Sequence, residues 1–471
     1  MRAVIELLRA EGRARIYFAV LAQSSLGNGA AYVGLLLVAY DRFESPWAVS
    51  LVLLADLVPA MVLGPVFGAA ADRWSRKACM VLADIVRAGA FAGVALVGSF
   101  EATIAFAILA GVGTGLFTPA ALAALPSLVE ERRLPAATSL YGAITDVGFT
   151  AGPALAAGIL LMAGPESIMT LNSVTFAASA VVLAALSFGA APAREAAEAA
   201  IHPSLLAEAR DGLRAISRMT ALRIVLLASA AALFFGGLFN VAELPFVRTD
   251  LDAGDTGFAV LVGIYGLGFI SGSLAGAAGG APPELKRRYL LGLLIMGGGF
   301  IASGFAPGVA IAMATFVVAG FGNGLMLVYE RLLILTSVPD RLAARVFGVK
   351  DALTAWAFAF AFLSAGGLVS LLGARELLVV AGSGGLVAWA VATLVLRSRW
   401  TEAVPPKAAP RRAAVLSRPS PDVAVKRGSG LYHGTQLLHG GDFWLALLDD
   451  LDEGRGGGGV ELGSGVRREL R

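Results

Sequence analysis

Twelve long apolar segments dominate this sequence and limit the folds that it can adopt. A bilayer core requires about 20 apolar residues in one helix, and each segment is close to or above that length. The predicted spans cover residues 16–40, 47–71, 78–98, 102–128, 136–163, 168–190, 222–247, 257–280, 288–306, 308–337, 344–372 and 376–396. Only 15% of the residues are charged, against about 25% in soluble domains. The sequence therefore predicts an all-α membrane protein.

The basic residues between the spans predict the orientation of the chain. The loops after spans two, four, six, eight and ten contain clusters of basic residues, such as Arg132 and Arg133 after span four. The opposite loops contain single ones, namely Arg42, Arg248 and Arg375. Because basic residues are enriched in cytoplasmic loops, we expect both termini in the cytoplasm.

The two halves of the chain resemble each other. AGVGTGL at Ala110–Leu116 recurs as AGFGNGL at Ala319–Leu325, a shift of 209 residues, and the same shift roughly relates their basic loops. Repeats about an axis along the membrane normal are a recurrent transporter plan. We predict an N-terminal six-helix bundle at 1–190, a cytoplasmic central loop at 191–221, a C-terminal six-helix bundle at 222–400, and a disordered tail rich in proline and glycine at 401–471.

A dense group of charges follows the second span, in GAAADRWSRKA at Gly68–Ala78. It resembles the loop motif G-x-x-x-D-R-x-G-R-[RK] of the major facilitator superfamily. The matching residues are Gly68, Asp72, Arg73, Arg76 and Lys77, while Ser75 stands where the family usually has glycine. The resemblance implies twelve helices in two pseudo-symmetric six-helix bundles. It also implies that Asp72 meets the start of the eleventh span, with Arg345 as an additional partner, and holds a cytoplasmic gate shut. The alternative is a basic cluster that only orients the helices.

A second motif lies in span five, in YGAITDVGFTAGPALAAG at Tyr141–Gly158. Gly148, Gly152 and Pro153 resemble the glycine-proline motif of the superfamily's exporters, although the final Gly-Gly of that motif is replaced. The sequences LADIVRAGAFAGVAL and LNSVTFAASAVVLAAL resemble the corresponding segments of bacterial macrolide, siderophore and multidrug exporters. Gly148 and Gly152 form a small-residue face for close helix contact, which is also what ordinary helix packing would use.

Acidic residues inside the membrane are costly and are therefore candidates for function. Asp56 and Asp146 each lie about ten residues into a predicted span, near the middle of the bilayer. We expect one of them to accept a proton during transport, the alternative being a structural acid. Glu243, in FNVAELPF, is interpreted as an interfacial residue, with a guard of the cavity mouth as the alternative.

The resemblance implies that spans one, four, seven and ten line a substrate cavity. The candidates are Gln23, Asn28, Tyr32, Phe235, Phe239, Asn240, Asn323 and Tyr329. Relatives in this branch often have aspartate where Asn28 stands.

The resemblance implies a secondary transporter in a bacterial plasma membrane that exports amphipathic small molecules by alternating access in antiport with protons, without cofactor or metal. Its expected partners are the substrate, protons and the lipid bilayer, and we expect a monomer. The net charge of +3 does not suggest nucleic acid, and the lone Cys79 excludes an intramolecular disulfide. No P-loop pattern is present, which argues against direct use of ATP. The alternatives are an uptake symporter or lysophospholipid flippase on the same fold, a membrane sensor that transports nothing, or a membrane enzyme.

Overall fold

The computed structural model describes residues 2–189, 205–276 and 282–399. Over these residues the chain is helical and contains no β-strand. The predicted tail at 401–471 lies outside the described residues, as does much of the predicted central loop.

Fourteen α-helices make up the described part of the chain. In chain order they are α1 Arg2–Ala10, α2 Gly12–Phe43, α3 Pro46–Arg73, α4 Arg76–Leu96, α5 Phe100–Ala124, α6 Leu134–Leu160, α7 Pro165–Ala185, α8 Leu205–Arg218, α9 Thr220–Pro245, α10 Gly254–Gly276, α11 Pro282–Gly304, α12 Val309–Ser337, α13 Asp340–Leu372 and α14 Ala374–Arg399. A π-helix at Phe246–Asp250 extends α9.

Eleven of these helices are long and apolar enough to cross a membrane. They are α2 to α7, α9, α10 and α12 to α14. The helix α11 corresponds to the predicted ninth span, but its first turns carry Glu284, Lys286, Arg287 and Arg288. Its apolar part packs against α12 and α14 inside the bundle. The predicted arrangement of twelve helices in two six-helix bundles is therefore confirmed, with α2–α7 in the first half and α9–α14 in the second.

The internal repeat is visible in the helix contacts. A Cβ atom added to Gly111 on α5 would lie 2.1 Å from the carbonyl oxygen of Asp56 on α3. A Cβ atom added to Gly320 on α12 would lie 2.1 Å from the carbonyl oxygen of Tyr265 on α10. Each residue of the second pair follows its counterpart by 209 positions in the sequence. The two heptapeptides thus support the same backbone-to-backbone contact in each half.

In each half, a lysine side chain caps the carboxyl end of the last helix in the same way. The Nζ of Lys77 donates to the carbonyl of Leu186 at 3.0 Å, and the Nζ of Lys286 donates to the carbonyl of Leu396 at 3.1 Å. A positive charge at the carboxyl end of a helix stabilises the carbonyl groups that have no helical partner. We call the membrane face with these lysines the inner face and the opposite one the outer face.

The two halves meet along two pairs of helices, α3 with α13 and α6 with α10. Near the outer face, Gly366 of α13 lies against Trp47 of α3, where an added Cβ would be 2.8 Å from the Trp47 Cα. In the second pair, a Cβ on Gly266 of α10 would be 2.6 Å from the methyl group of Thr150 on α6. Small residues therefore set the distance between the halves.

The helix α8 lies within the predicted central loop and packs on the start of α13. A Cβ on its Gly212 would be 2.7 Å from the carbonyl oxygen of Arg345. The segment between the halves is therefore partly helical and is attached to the second half.

Candidate functional site

Charged side chains at the helix ends connect the two halves at the outer face. Arg248, in the π-helix after α9, forms ion pairs with Asp41 at the end of α2 and with Asp255 at the start of α10. Its guanidinium carbon also lies 5.4 Å from the centre of the Tyr40 ring. Since Asp41 and Arg248 belong to different halves, this group holds the two outer ends together.

Glu243 lies in the packed interior below this closure. It precedes Asp250, the last residue of the π-helix, by seven positions, or about 10 Å along the helix axis. The residue is only 4% exposed, and its carboxyl group forms no hydrogen bond or ion pair with any described residue. Glu243 is therefore buried within the protein, and its interpretation as an interfacial residue stays a prediction.

Tyr32 on α2 and Tyr265 on α10, from opposite halves, lie within electrostatic range of the Glu243 carboxyl group. The ring of Tyr32 contacts that of Phe149 on α6, with 5.6 Å between the ring centres. Asn323 on α12 donates from Nδ2 to the Tyr265 hydroxyl at 2.8 Å. We call Glu243, Tyr32, Phe149, Tyr265 and Asn323 the inter-half cluster.

Asp146 lies deeper, on the first half's side of the boundary. It is exposed on α6 together with Phe149, which lies three residues further along on the same helix face. Arg331 of α12, in the second half, acts electrostatically on its carboxyl group. Asp146 is thus an exposed acid on a helix that also contacts the opposite half, through Thr150 and Gly266.

Asp56 lies inside the first half, beside a buried ion pair. Arg87 of α4 acts electrostatically on Asp56 and is bound to Asp84, one turn away on the same helix. The Arg87 guanidinium lies between two rings, 4.2 Å from the centre of Phe117 and 4.1 Å from that of Phe176. Aromatic faces stabilise a cation that has left water. Asp56 therefore has its positive neighbour within its own half, whereas the positive neighbour of Asp146 belongs to the opposite half.

The residues of the predicted exporter motif bring α6 against α2. A Cβ on Gly152 would be 2.4 Å from the Cα of Gly29, and a Cβ on Gly148 would be 2.4 Å from the Cβ of Ser25. Pro153 is buried next to this contact, where it removes one helical hydrogen bond. Because neighbouring residues of α6 contact α10, this helix is held from both halves.

The loop motif after α3 is described in part. Gly68, Asp72 and Arg73 lie outside the part of the chain whose side chains the structure describes. The predicted gate contact of Asp72 therefore stays a prediction. Arg76 donates to the carbonyl of Ala123 at the end of α5. Lys77 likewise donates to the carbonyl of Leu186 at the end of α7. Ser75, the departure from the family pattern, caps α4 by accepting from the backbone N–H of Ala78.

The remaining cavity candidates divide into two groups. Gln23, Asn28 and Asn240 are partly buried, and the Nε2 atom of Gln23 is buried without a hydrogen-bond partner among the described residues. Three aromatic candidates instead pack inside the second half, which corrects their assignment to the cavity wall. Phe235 lies against Gly384, Phe239 stacks on Phe300 with 4.1 Å between ring centres, and the Tyr329 hydroxyl accepts from Arg288 at 3.0 Å.

Phe149 and Tyr265 were not predicted as site residues from the sequence. The repeat contained a signal for Tyr265, which occupies the position in the second half that Asp56 occupies in the first. No comparable signal marks Phe149, because its position depends on how α6 is rotated.

Two helical bundles around an internal polar boundary define a multi-span membrane transporter. The family model described as the Major Facilitator Superfamily matches residues 17–348. The chain belongs to this superfamily, as the loop motif indicated.

Similar proteins include transporters that are named as efflux pumps. The chain is 27% identical over 375 residues to the "Uncharacterized MFS-type transporter YfiS" of Bacillus subtilis (strain 168), covering 76% of this chain and 87% of the relative. It is 24% identical over 373 residues to the "Multidrug efflux pump Tap" of Mycolicibacterium fortuitum, covering 76% of this chain and 89% of that pump. The resemblance to the exporter branch is thereby confirmed.

A solved structure shares the fold. It is that of a bacterial homologue of the human lysosomal transporter Spinster, in an inward-facing and unoccupied conformation. The TM-score is 0.62 at 16% sequence identity, over 84% of this chain and 99% of that one.

Proposed function

We propose that this protein exports amphipathic small molecules across the bacterial cytoplasmic membrane by alternating access, in exchange for protons. In this proposal both termini are cytoplasmic, the inner face is the cytoplasmic one, and the protein works as a monomer. The similarity to a multidrug efflux pump supports the direction of transport.

The placement of Asp146 is the observation that carries the proposal. Its carboxyl group is exposed on α6, the helix held by both halves, and it interacts with Arg331 of the opposite half. Rocking of the halves would change the distance between these two groups. Since a nearby positive charge favours the ionised form of a carboxyl group, such motion would couple proton binding to the conformation.

The closed outer face supports the same cycle. In this proposal the contacts of Asp41 with Arg248 and of Trp47 with Gly366 close the outer end of the substrate pathway. Export requires this state for loading from the inner side and an opposite state for release. The outer contacts are therefore the ones that must open.

Substrate accumulation in efflux-deficient cells tests the proposal. Cells producing the protein are compared with empty cells for macrolides, dyes and siderophores, with and without a proton uncoupler. We expect lower accumulation that the uncoupler reverses, and loss of this effect in Asp146→Asn. Glu101→Gln, which changes an exposed acid at the start of α5, is the matched control and is expected to transport normally.

The variant Asp56→Asn separates the two acids. We expect it to retain more activity than Asp146→Asn, because its positive neighbour lies within its own half. Unchanged accumulation of the whole panel in cells with well-produced protein would contradict export. Increased accumulation would indicate uptake.

A further inference from the structure

A short helix precedes the first spanning helix of each half, at the inner face. The helix α1 ends one residue before α2 begins at Gly12, and α8 ends two residues before α9 begins at Thr220. In the first half α1 contacts α2 and α6, and in the second half α8 contacts α9 and α13, the helices that occupy the same places. The repeat therefore extends from the spanning helices to the helices at the membrane surface.

The two short helices also match residue by residue. The shift of 209 positions relates Leu7 of α1 to Ile216 of α8, and both side chains are buried against their own half. The same shift relates Arg9 to Arg218, and both side chains are exposed. Each helix thus presents one face to the protein and the opposite face outward.

The outward face of α8 combines arginines with a large apolar side chain. Arg210, Arg214 and Arg218 are spaced by four residues, so they follow one side of the helix, and all three are exposed. Gly212 lies on the other side, against the carbonyl of Arg345 on α13. Leu213, at the edge of the arginine row, is 56% exposed.

The outward face of α1 has the same chemistry. Ile5 is 41% exposed and lies one turn before the exposed Arg9. The surrounding segments agree in charge, because residues 2–15 and residues 205–223 each contain four arginines and two acidic residues. We call the outward faces of the two helices the surface faces. They are formed by Ile5, Arg9, Arg210, Leu213, Arg214 and Arg218.

We propose that the surface faces bind anionic phospholipids of the leaflet at the inner face of the protein. The arginines contact the lipid phosphates, for which the planar guanidinium group is well suited. Ile5 and Leu213 insert between the upper parts of the acyl chains. A helix with arginines on its polar side and a large apolar residue beside them lies in the interface of a bilayer in this way.

The occurrence of this surface on both halves favours lipid over a protein partner. A protein that docks on the inner face would contact one surface of defined shape. The bilayer instead surrounds both halves and meets α1 and α8 in the same way. The start of a spanning helix directly after each short helix also holds both surface faces close to the level of the headgroups.

A lipid titration of the purified full-length protein in neutral detergent tests the proposal. The reporter is an environment-sensitive fluorophore on Ser217→Cys in a Cys79→Ser background, since Ser217 lies on the outward side of α8. We expect mixed micelles with phosphatidylglycerol to shift its emission, whereas phosphatidylcholine and free inorganic phosphate do not. Arg214→Gln/Arg218→Gln should raise the half-saturating phosphatidylglycerol concentration about tenfold, and Leu213→Gln about threefold.

The matched control removes two exposed arginines of the inner face outside these helices. Arg132→Gln/Arg287→Gln lowers the net charge by the same amount and should leave the titration unchanged. The changed arginines are exposed, so these variants should fold as the unmodified protein does. For α1, the fluorophore on Ala10→Cys should report phosphatidylglycerol binding that Arg9→Gln weakens by about fivefold.

Several results would overturn the proposal. Equal weakening in Arg214→Gln/Arg218→Gln and in the control would mean that only the net charge matters. An equal response to phosphatidylcholine would remove the preference for anionic lipid. A response to inorganic phosphate alone would indicate a site for a free anion, and unchanged binding in Leu213→Gln would exclude insertion into the acyl region. Binding at Ser217→Cys without any at Ala10→Cys would contradict the shared role of the two helices.

Discussion

Arg248 after α9 forms an ion pair with Asp41 at the end of α2, and through it the two halves of the protein are joined at the outer face. The side chains are 18% and 33% exposed, so water weakens but does not remove the attraction. The state with a closed outer face therefore depends in part on this contact.

Removing the charge of Asp41 should favour opening of the outer face. A pair of this exposure contributes up to about 1 kcal/mol, so Asp41→Asn should raise the open population up to about fivefold. The reporter is Ser50→Cys in a Cys79→Ser background, because Ser50 is fully buried where α3 meets Gly366. Its labelling rate by a membrane-impermeant maleimide added outside should rise accordingly.

The control for this prediction changes an exposed pair at the inner face. Arg132 donates to Glu130 at 2.7 Å and thereby lowers the pKa of this carboxyl group. Glu130→Gln should leave the labelling of Ser50→Cys unchanged. An equal labelling rate in Asp41→Asn and the unmodified protein would show that the outer closure does not depend on the ion pair.

Gly152 cannot take a larger side chain without separating α6 from α2. The Cβ of alanine would be 2.4 Å from the Cα of Gly29, a backbone atom that cannot move alone. We expect Gly152→Ala to destabilise the protein by about 1–3 kcal/mol and to abolish most transport. Gly158→Ala in the same helix is the control, since nothing lies within 4 Å of its Cβ position. Equal melting temperatures for the two variants would contradict the close contact.

Removing one member of the Asp84–Arg87 ion pair should lower the stability of the protein more than removing both. Asp84→Asn leaves a guanidinium buried between Phe117 and Phe176 without its counter-charge, at a cost of about 3–5 kcal/mol. The double variant Asp84→Asn/Arg87→Gln removes both charges and should recover part of the yield of folded protein. Size-exclusion profiles of detergent extracts measure that yield. A double variant no better than Asp84→Asn would argue against an uncompensated charge as the cause.

The fold could be predicted because the bilayer limits the possible structures. Spans of about 20 apolar residues and alternating basic loops leave few possible helix numbers and orientations. The shift of 209 residues also relates Gly111 to Gly320 from the sequence alone. The largest difference concerned α11, which begins at Pro282 rather than at residue 288 because a helix can continue through charged residues at the membrane surface.

The site was less predictable, since the sequence gives depth but not the direction in which a side chain points. Phe239 and Tyr329 lie on the expected helices, yet both pack inside the second half. Glu243 lies near a helix end in the sequence, but the π-helix at Phe246–Asp250 continues beyond it and places it deeper. Such rotations and extensions depend on contacts between helices that are far apart in the chain.

Transport by the purified protein in liposomes tests directly whether the protein is a proton-driven exporter. A pH gradient is imposed across the membrane, and movement of a fluorescent substrate chosen from the cell panel is recorded for the unmodified protein, Asp146→Asn and Glu101→Gln. We expect substrate movement opposite to proton flow, lost in Asp146→Asn and retained in Glu101→Gln. Movement in the same direction as the protons, or equal movement without a gradient, would contradict proton-driven export.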